Sequence, residues 1–313
     1  MLPALVPLAK AEAQYILDGV QEDIRNDGRQ RHHARPYHIE TGLVSNANGS
    51  ARAQHVGTDV LVGVKAERGV ALGQNEDEGQ IEVLSRMFKK TQHALGNVVE
   101  QFAVQFASSA TAMLSGRERE DYGRAIALAL QEMADVRGAI DRQALCIIAG
   151  REAFTLKVDV MILAANGGAI YDTAAVAVYA ALASCDIPSV TLVKDADGDV
   201  VDWEFADTPD HQLDVSRLPL LTTIASINDF AVLDATTAEM ACADAAMILG
   251  IDAQGELCTC RLVGRTGGVD PELLTEMTLM AQEAGKASVA SVRNALQQEA
   301  ALDRSPIAVG FLR

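Results

Sequence analysis

Aromatic residues make up only 4% of this 313-residue chain, so its core has to be aliphatic. Positive charge is scarce as well. The chain has 26 Lys and Arg against 43 Asp and Glu, a net charge of −17. That balance argues against a stand-alone nucleic-acid binder, which carries a basic footprint. It leaves room for a local basic patch, or for a subunit whose partners supply the positive charge. Cysteines number five, at 146, 185, 242, 258 and 260, in apolar or strand-like surroundings. They point to a reduced, intracellular setting rather than a disulfide framework. No apolar run reaches the length of a membrane span. The opening MLPALVPLAK is too short and too proline-broken to read as a signal peptide.

What is present is a long aliphatic stretch, Lys157 to Lys194, around which the rest is organised. Lys157 to Leu163 alternates and is rich in Val, Ile and Leu, as a strand is. Asn166-Gly167-Gly168 is a turn signal. Ile170 to Ser184 is apolar nearly all round, which predicts a buried helix. Pro188 ends helical structure, and Val190 to Val193 supplies another strand. At such a strand–glycine–helix junction, free N–H groups and the helix dipole favour an anion.

Upstream, Ala9 to Ile24 is predicted as an amphipathic helix with Tyr15, Ile16, Val20 and Ile24 toward one side. Tyr37–Ser45, Ser50–His55 and Asp59–Glu67 read as strands of an antiparallel meander, the first hairpin turning at Asn48-Gly49. Gln80 to Gln101 reads as a helix. Phe102–Phe106 reads as a strand, Ser115–Glu120 as a charged loop, Tyr122–Val136 as a helix and Leu145–Ile148 as a short strand. After a turn at Asp195–Gly198, Asp199–Phe205, Leu220–Ile227, Phe230–Leu233 and Leu257–Leu262 are strand candidates. Thr237–Leu249 and Pro271–Leu296 are helix candidates, the second with Asp270 at its N-cap and Pro271 at N1. The class is α/β (α+β), in two similar subdomains meeting near 195–215.

Several segments together resemble the RNase PH-like family. Arg25, Asp27, Gly28 and Arg29 precede a hairpin ending in Gly49-Ser50-Ala51, followed by Gly57-Thr58-Asp59-Val60. VDVMILAANGGAIYDTAAVAVYAALASCDIP, VDWEFADTPD, RLVGRTGGVDPELLTEM and the ending VGFLR extend the likeness over nearly the whole chain. The resemblance implies an RNase PH-like fold of two β/α subdomains with mixed sheets packed with helices. It divides the chain into an N-terminal helix and arm (1–35), subdomain 1 (36–200), subdomain 2 (210–300) and a tail (301–313). It implies work on RNA 3′ ends without a cofactor. It also implies a sister chain, a six-membered exosome-type ring, cap subunits with RNA-binding domains, and a setting in nucleus, nucleolus and cytoplasm. One departure is an insertion at about 73–99.

Active members of that family cleave by phosphorolysis and follow the Gly-Gly turn with Thr-Arg-Thr. Here Gly167-Gly168 is followed by Ala169, Ile170, Tyr171 and Asp172. Hydrocarbon replaces the guanidinium, and Asp172 is expected to repel an anion. Of an adjacent Arg pair, only Arg124 is present, after Gly123. Asp202 and Asp207 stand near a family aspartate pair with the spacing off by one, and read equally as exposed loop carboxylates. The loop is therefore expected to be a degenerate phosphate site, with no catalytic residue. The competing expectation is an active phosphate-dependent 3′-exoribonuclease, alone or with a sister chain. Arg117, Arg119 and Arg124 are candidate RNA-contacting residues, weakened by the interleaved Glu118, Glu120 and Asp121.

Other features read more plainly. Arg25, Arg29, Arg31 and Arg35 are expected to pair with carboxylates inside the fold or at a sister interface, RNA contact being the lesser reading. Cys258 and Cys260 are expected to be structural and buried, with too few neighbours for a metal. His32, His33 and His38 lack metal or catalytic spacing. Gly264–Gly268 lacks the Gly-Lys-Ser/Thr end of a P-loop. The insertion helix either covers the domain's own apolar surface, docks a partner, or meets RNA through Arg86, Lys89 and Lys90.

Overall fold

The computed structural model describes residues 6–70, 80–83, 103–110, 114–148, 151–194, 200–207, 210–264 and 269–301. In chain order the elements are α1 (Lys10–Gln21), β1 (His38–Thr41), β2 (Gly49–His55), β3 (Thr58–Val70), β4 (Gln80–Val83), β5 (Ala103–Phe106) and α2 (Gly116–Ala134). Then come β6 (Cys146–Ile148), β7 (Glu152–Ala165), α3 (Ile170–Ala183), β8 (Asp186–Ile187), β9 (Val190–Lys194), β10 (Val200–Phe205) and β11 (His211–Gln212). The chain continues through β12 (Leu220–Ile227), β13 (Phe230–Leu233), α4 (Thr237–Cys242), β14 (Ala245–Ile251), β15 (Leu257–Gly264) and α5 (Pro271–Ala300).

Two sheets carry the fold. The larger runs β1-β2-β3-β7, with β4, β5 and β6 also paired to β7, and the smaller runs β13-β12-β14-β15. Alternation along β7 puts Leu156, Val158, Val160 and Ile162 into the core and leaves Asp159 and Met161 exposed. Helix α3 packs on β2 and β3 of the first sheet and on β12 of the second. Every residue from Ile170 to Leu182 is buried, as an all-apolar helix between two layers must be. Helix α5 covers the second sheet, with Leu273, Met277 and Ala281 against Ile224, Met247 and Leu249. Its start is built as the residues dictate, with the Asp270 carboxylate accepting from the Glu272 N–H at 2.9 Å and Pro271 at N1.

Four expectations need correction. The segment Thr237–Leu249 is a helix only to Cys242; Ala245–Ile251 is strand β14, hydrogen-bonded on both sides. A short, wholly apolar run looks alike as buried helix or buried strand, and here pairing decides. The charged stretch at 115–120 is the start of α2. Ser115 accepts from the Glu118 N–H and Glu118 accepts from the Ser115 N–H, a capping box. In α1, Ile16 and Val20 are buried but Tyr15 and Ile24 are exposed. Finally, Gln80–Val83, expected as the start of a helix, is a strand parallel to β7. The rest of that expected helix, with Arg86, Lys89 and Lys90, lies outside the described residues, as does the turn at 195–198.

The register of β4 and β5 against β7 is continuous. Gln80–Val83 pair with Thr155–Val158, and Ala103–Phe106 pair with Asp159–Ile162. No position of β7 is skipped between them. Strands β4 and β5 thus pair with adjacent rungs of β7, Val83 with Val158 and Ala103 with Asp159. Excising 84–102, so that Val83 precedes Ala103, is expected to leave a continuous edge and a cooperative fold. Removing a connection of that length between adjacent rungs should leave stability unchanged or raise it by up to roughly 2 kcal/mol. Thermal unfolding of the shortened chain checks this; loss of the cooperative transition would show that the segment is needed for the fold.

Candidate functional site: a filled loop at the head of α3

The loop between β7 and α3 is held from three sides. From the β2–β3 hairpin, the Thr58 hydroxyl donates to the Gly168 carbonyl at 2.7 Å, and the Asn166 N–H donates to the Gly57 carbonyl at 2.9 Å. From the start of α4, the Thr237 hydroxyl donates to the Asn166 carbonyl. From the N-terminal arm, Arg35 Nη2 donates to the Gly167 carbonyl at 3.0 Å. The two glycines are required by space. A Cβ on Gly167 would lie 1.9 Å from the Val56 carbonyl oxygen, and one on Gly168 would lie 2.3 Å from that of Ala235. Gly168 also has φ of +79°, and Ala169 follows in the left-handed region at φ 46°, ψ 39°.

The residues after the glycines turn into the core. Ile170 and Tyr171 are buried, and Tyr171 meets Tyr122 of α2 edge-on at 5.9 Å, with Phe106 stacked behind at 5.8 Å. The cavity left beside Gly168–Tyr171 is about 30 Å³, space for about one water. Burial pushes the Tyr171 phenol up to about 12 and Tyr122 well above its ordinary value, so both stay neutral. No guanidinium lines this cavity among the described residues.

The Asp172 carboxylate is buried and accepts from the Thr223 N–H at 3.0 Å and the Thr223 hydroxyl at 2.5 Å, which ties α3 to β12. Burial raises its pKa to about 6, against the opposing pull of the Thr223 hydrogen bonds. A carboxyl whose folded pKa is raised holds its proton more tightly folded than unfolded. Stability attributable to Asp172 thus increases as pH falls from about 6 toward 4. The native state is penalised above pH 6 by roughly 2–3 kcal/mol. Asp172→Asn is expected to remove that slope between pH 4 and 6, read from urea unfolding at a series of pH values. An unchanged slope would place the charge elsewhere.

The basic arm is consumed internally. Arg25 is buried and forks onto Glu239 through Nε at 2.8 Å and Nη2 at 2.6 Å, and also donates to the Leu233 and Asp234 carbonyls. Arg35 forks onto Asp234 at 2.8 and 2.5 Å, and Arg29 Nη1 reaches the same carboxylate at 2.9 Å. Arg31 pairs with Asp23 at 3.3 Å and lies over the Phe230 ring. The buried His55 ring stacks on Tyr37 at 4.4 Å, with Nε2 3.5 Å from Asp234. Asp234 is the hub, and no local sequence signal marks it, since its partners are about 200 residues away.

The remaining candidates separate. Arg117 and Arg124, seven apart, share the solvent face of α2, and Arg124 pairs with Asp121 at 3.1 Å. Arg119 is half-buried and three residues before Tyr122, on the side nearer the loop. Asp202 and Asp207 are exposed on and just past β10, whose pairing with β9 puts them beyond the C-terminal end of α3. The loop is at the other end of that helix, about 20 Å away at ~1.5 Å per residue. Cys260 is exposed and Cys258 only half-buried, contrary to expectation, because β15 is an edge strand. Among the described residues, no three His, Cys, Asp or Glu groups are placed to hold a metal.

A two-sheet α/β body with a glycine-pinned loop at the head of a buried helix defines a class. The chain belongs to the 3′ exoribonuclease (RNase PH) family, matching its domain 1 over residues 33–188 and its domain 2 over residues 217–284. Among relatives, it is 29% identical over 250 residues to the exosome complex component Rrp42 of Methanothermobacter thermautotrophicus, covering 80% of this chain and 82% of that one. It is 25% identical over 288 residues to the exosome complex component RRP45A of Arabidopsis thaliana, covering 91% and 86%. Its fold is like a chain in the Archaeoglobus fulgidus exosome with RNA bound to the active site. The TM-score is 0.70 at 20% identity, over 90% of this chain and 97% of that one.

Proposed function

We propose that this chain is a non-catalytic ring subunit of an exosome-type complex, supporting 3′-to-5′ RNA processing and degradation. The observation that carries the reading is the filled loop. Gly167 and Gly168 are held tightly by the backbone around them, while Ile170 and Tyr171 are buried hydrocarbon and phenol and Asp172 is bonded to Thr223 in the core. Phosphorolysis needs inorganic phosphate beside an RNA 3′ end, and no guanidinium lines the ~30 Å³ cavity beside this loop among the described residues. Family membership and relatives named as exosome components support the ring role. In this reading, residues 36–200 and 210–300 are the two subdomains. A sister RNase PH-like chain pairs with this one, six such chains close the ring, and RNA-binding caps sit on it. Arg119 is the best placed of the three arginines to touch RNA passing near the loop. Nucleus, nucleolus and cytoplasm are the compartments where such rings work.

The test uses 3′-labelled RNA and phosphate with the purified chain, alone and mixed with a sister chain. The chain alone should release no nucleoside diphosphate, and the mixture should give a species of ring mass by light scattering. Release from the chain alone would sink the non-catalytic reading. A mixture that stays as separate chains would sink the ring.

A further inference from the structure

The connection from α2 to β6 faces the segment that leads into β12, and a groove of about 500 Å³ lies between them. That is the size of a small-molecule site, roughly 300–1,000 Å³. Its charged lining sets Arg137, Arg142 and Arg217 against Asp135, Asp141 and Asp214. The count is even, but the pairing is not. Asp135 takes Arg142 at 2.7 Å and the Gln131 amide. Asp141 accepts from the Gln143 N–H at 3.0 Å, and Asp214 from the Ser216 N–H at 2.8 Å. The side chains of Arg137 and Arg217 have no ion pair among the described residues. Nine other arginines do, Arg142 included, as a chain with 43 Asp and Glu allows.

Gly138 brings the two unpaired guanidiniums to one place. A Cβ on it would lie 3.4 Å from Arg217 Nη1, so Arg217 rests against the residue that follows Arg137. The segment carrying Arg217 is itself fixed. Arg293 of α5 donates to the Ser216 carbonyl and, at 3.1 Å, to the Tyr179 hydroxyl of α3. Two cations held in one groove repel each other until an anion is shared between them. A guanidinium offers a planar fork of N–H donors that matches the oxygens of a phosphate. The three aspartates disfavour a polyanion such as RNA, whose charge continues past the site. A ligand with one or two phosphate groups has far less charge to bring past them, and buried Ala139 and Ile140 add an apolar part to the lining.

We propose that this groove binds the phosphate group of a small molecule through Arg137 and Arg217. It is on the far side of α3 from the filled loop: the N–H of Leu213, next to Asp214, donates to the Cys185 carbonyl just past the C-terminal end of that helix. The site is thus independent of the loop and of ring membership. Calorimetric titration of the full-length chain with ADP, in phosphate-free buffer at low salt, is expected to show one site with a Kd of about 1 mM or tighter. Inorganic phosphate should displace the ADP. Arg137→Ala and Arg217→Ala should each weaken binding by about tenfold or more. Both side chains are exposed, so the thermal midpoint should hold. Arg217→Lys, which keeps the charge and loses the fork, should weaken binding as well. Arg52→Ala, whose partner is Asp59, is the reference and should bind ADP as the wild type does. Absence of ADP binding overturns the proposal, as does binding that survives loss of Arg137 and Arg217 or that inorganic phosphate does not displace. A 5′-phosphorylated RNA oligomer that binds where ADP does not would give the groove to RNA and overturn it too.

Discussion

Asp234→Ala should destabilise the protein by roughly 3–5 kcal/mol, the cost of leaving buried charge without its partner. The carboxylate is 3% exposed on its side chain and receives Arg35 at 2.5 Å and Arg29 at 2.9 Å. Truncation would strand Arg35 and leave Arg29 with Asp27 as its remaining carboxylate, at the seam between the arm, the loop and the second sheet. It would also loosen Arg35, whose other bond holds the Gly167 carbonyl. Urea unfolding is the measurement, with the midpoint falling and the slope unchanged if the native state stays compact.

The pH dependence gives this prediction a signature. Arg35 and His55 hold the Asp234 carboxyl well below its ordinary range, overcoming the opposing effect of burial. A depressed folded pKa means stability that is fully present above the unfolded value, near 4, and is lost as pH falls further. Wild type and Asp234→Ala should therefore differ most at neutral pH and converge at acid pH. A constant gap down to pH 2 would show that the carboxylate's charge is not what matters. The Asp172 slope runs the other way over pH 4 to 6, so the two carboxyls are separable in one titration.

Gly167→Ala is expected to cost about 3 kcal/mol, the upper range for overpacking. The added carbon would sit 1.9 Å from the Val56 carbonyl oxygen and 2.9 Å from that of His55, both backbone atoms that cannot swing aside. Gly63→Ala, in the middle of β3, is the matched comparison, since its added carbon would find nothing nearer than 4.0 Å. The difference in thermal midpoint between the two variants reads the packing alone. Equal, small effects would mean that the loop is free to move away from the β2–β3 hairpin.

The stretch from Lys157 to Lys194 was legible because its residues agree at every level. Alternation, paired glycines, an apolar helix and a stop at Pro188 have one reading. Ala245–Ile251 was not, because an unbroken apolar run carries no period, and only its neighbours β12 and β15 make it a strand. The start of α2 was legible in principle, since Ser115 and Glu118 form a capping pattern that the surrounding charges obscured. At the site, the absence of arginine at 169–172 could be read from the letters. The partner of Asp172 could not, because Thr223 is 51 residues away. The same holds for the arm: pairing with carboxylates was expected of its arginines, and only the fold shows that Asp234 and Glu239 are among those carboxylates.

That arrangement has a consequence for how the chain is made. Arg25 and Arg29 leave the ribosome early, while Glu239 and Asp234 follow 214 and 205 residues behind. At ~5–20 residues per second, the arm waits about 10–40 s for its carboxylates. Through that interval Arg25, Arg29 and Arg35 are without Glu239 and Asp234, the carboxylates that hold them in the finished molecule.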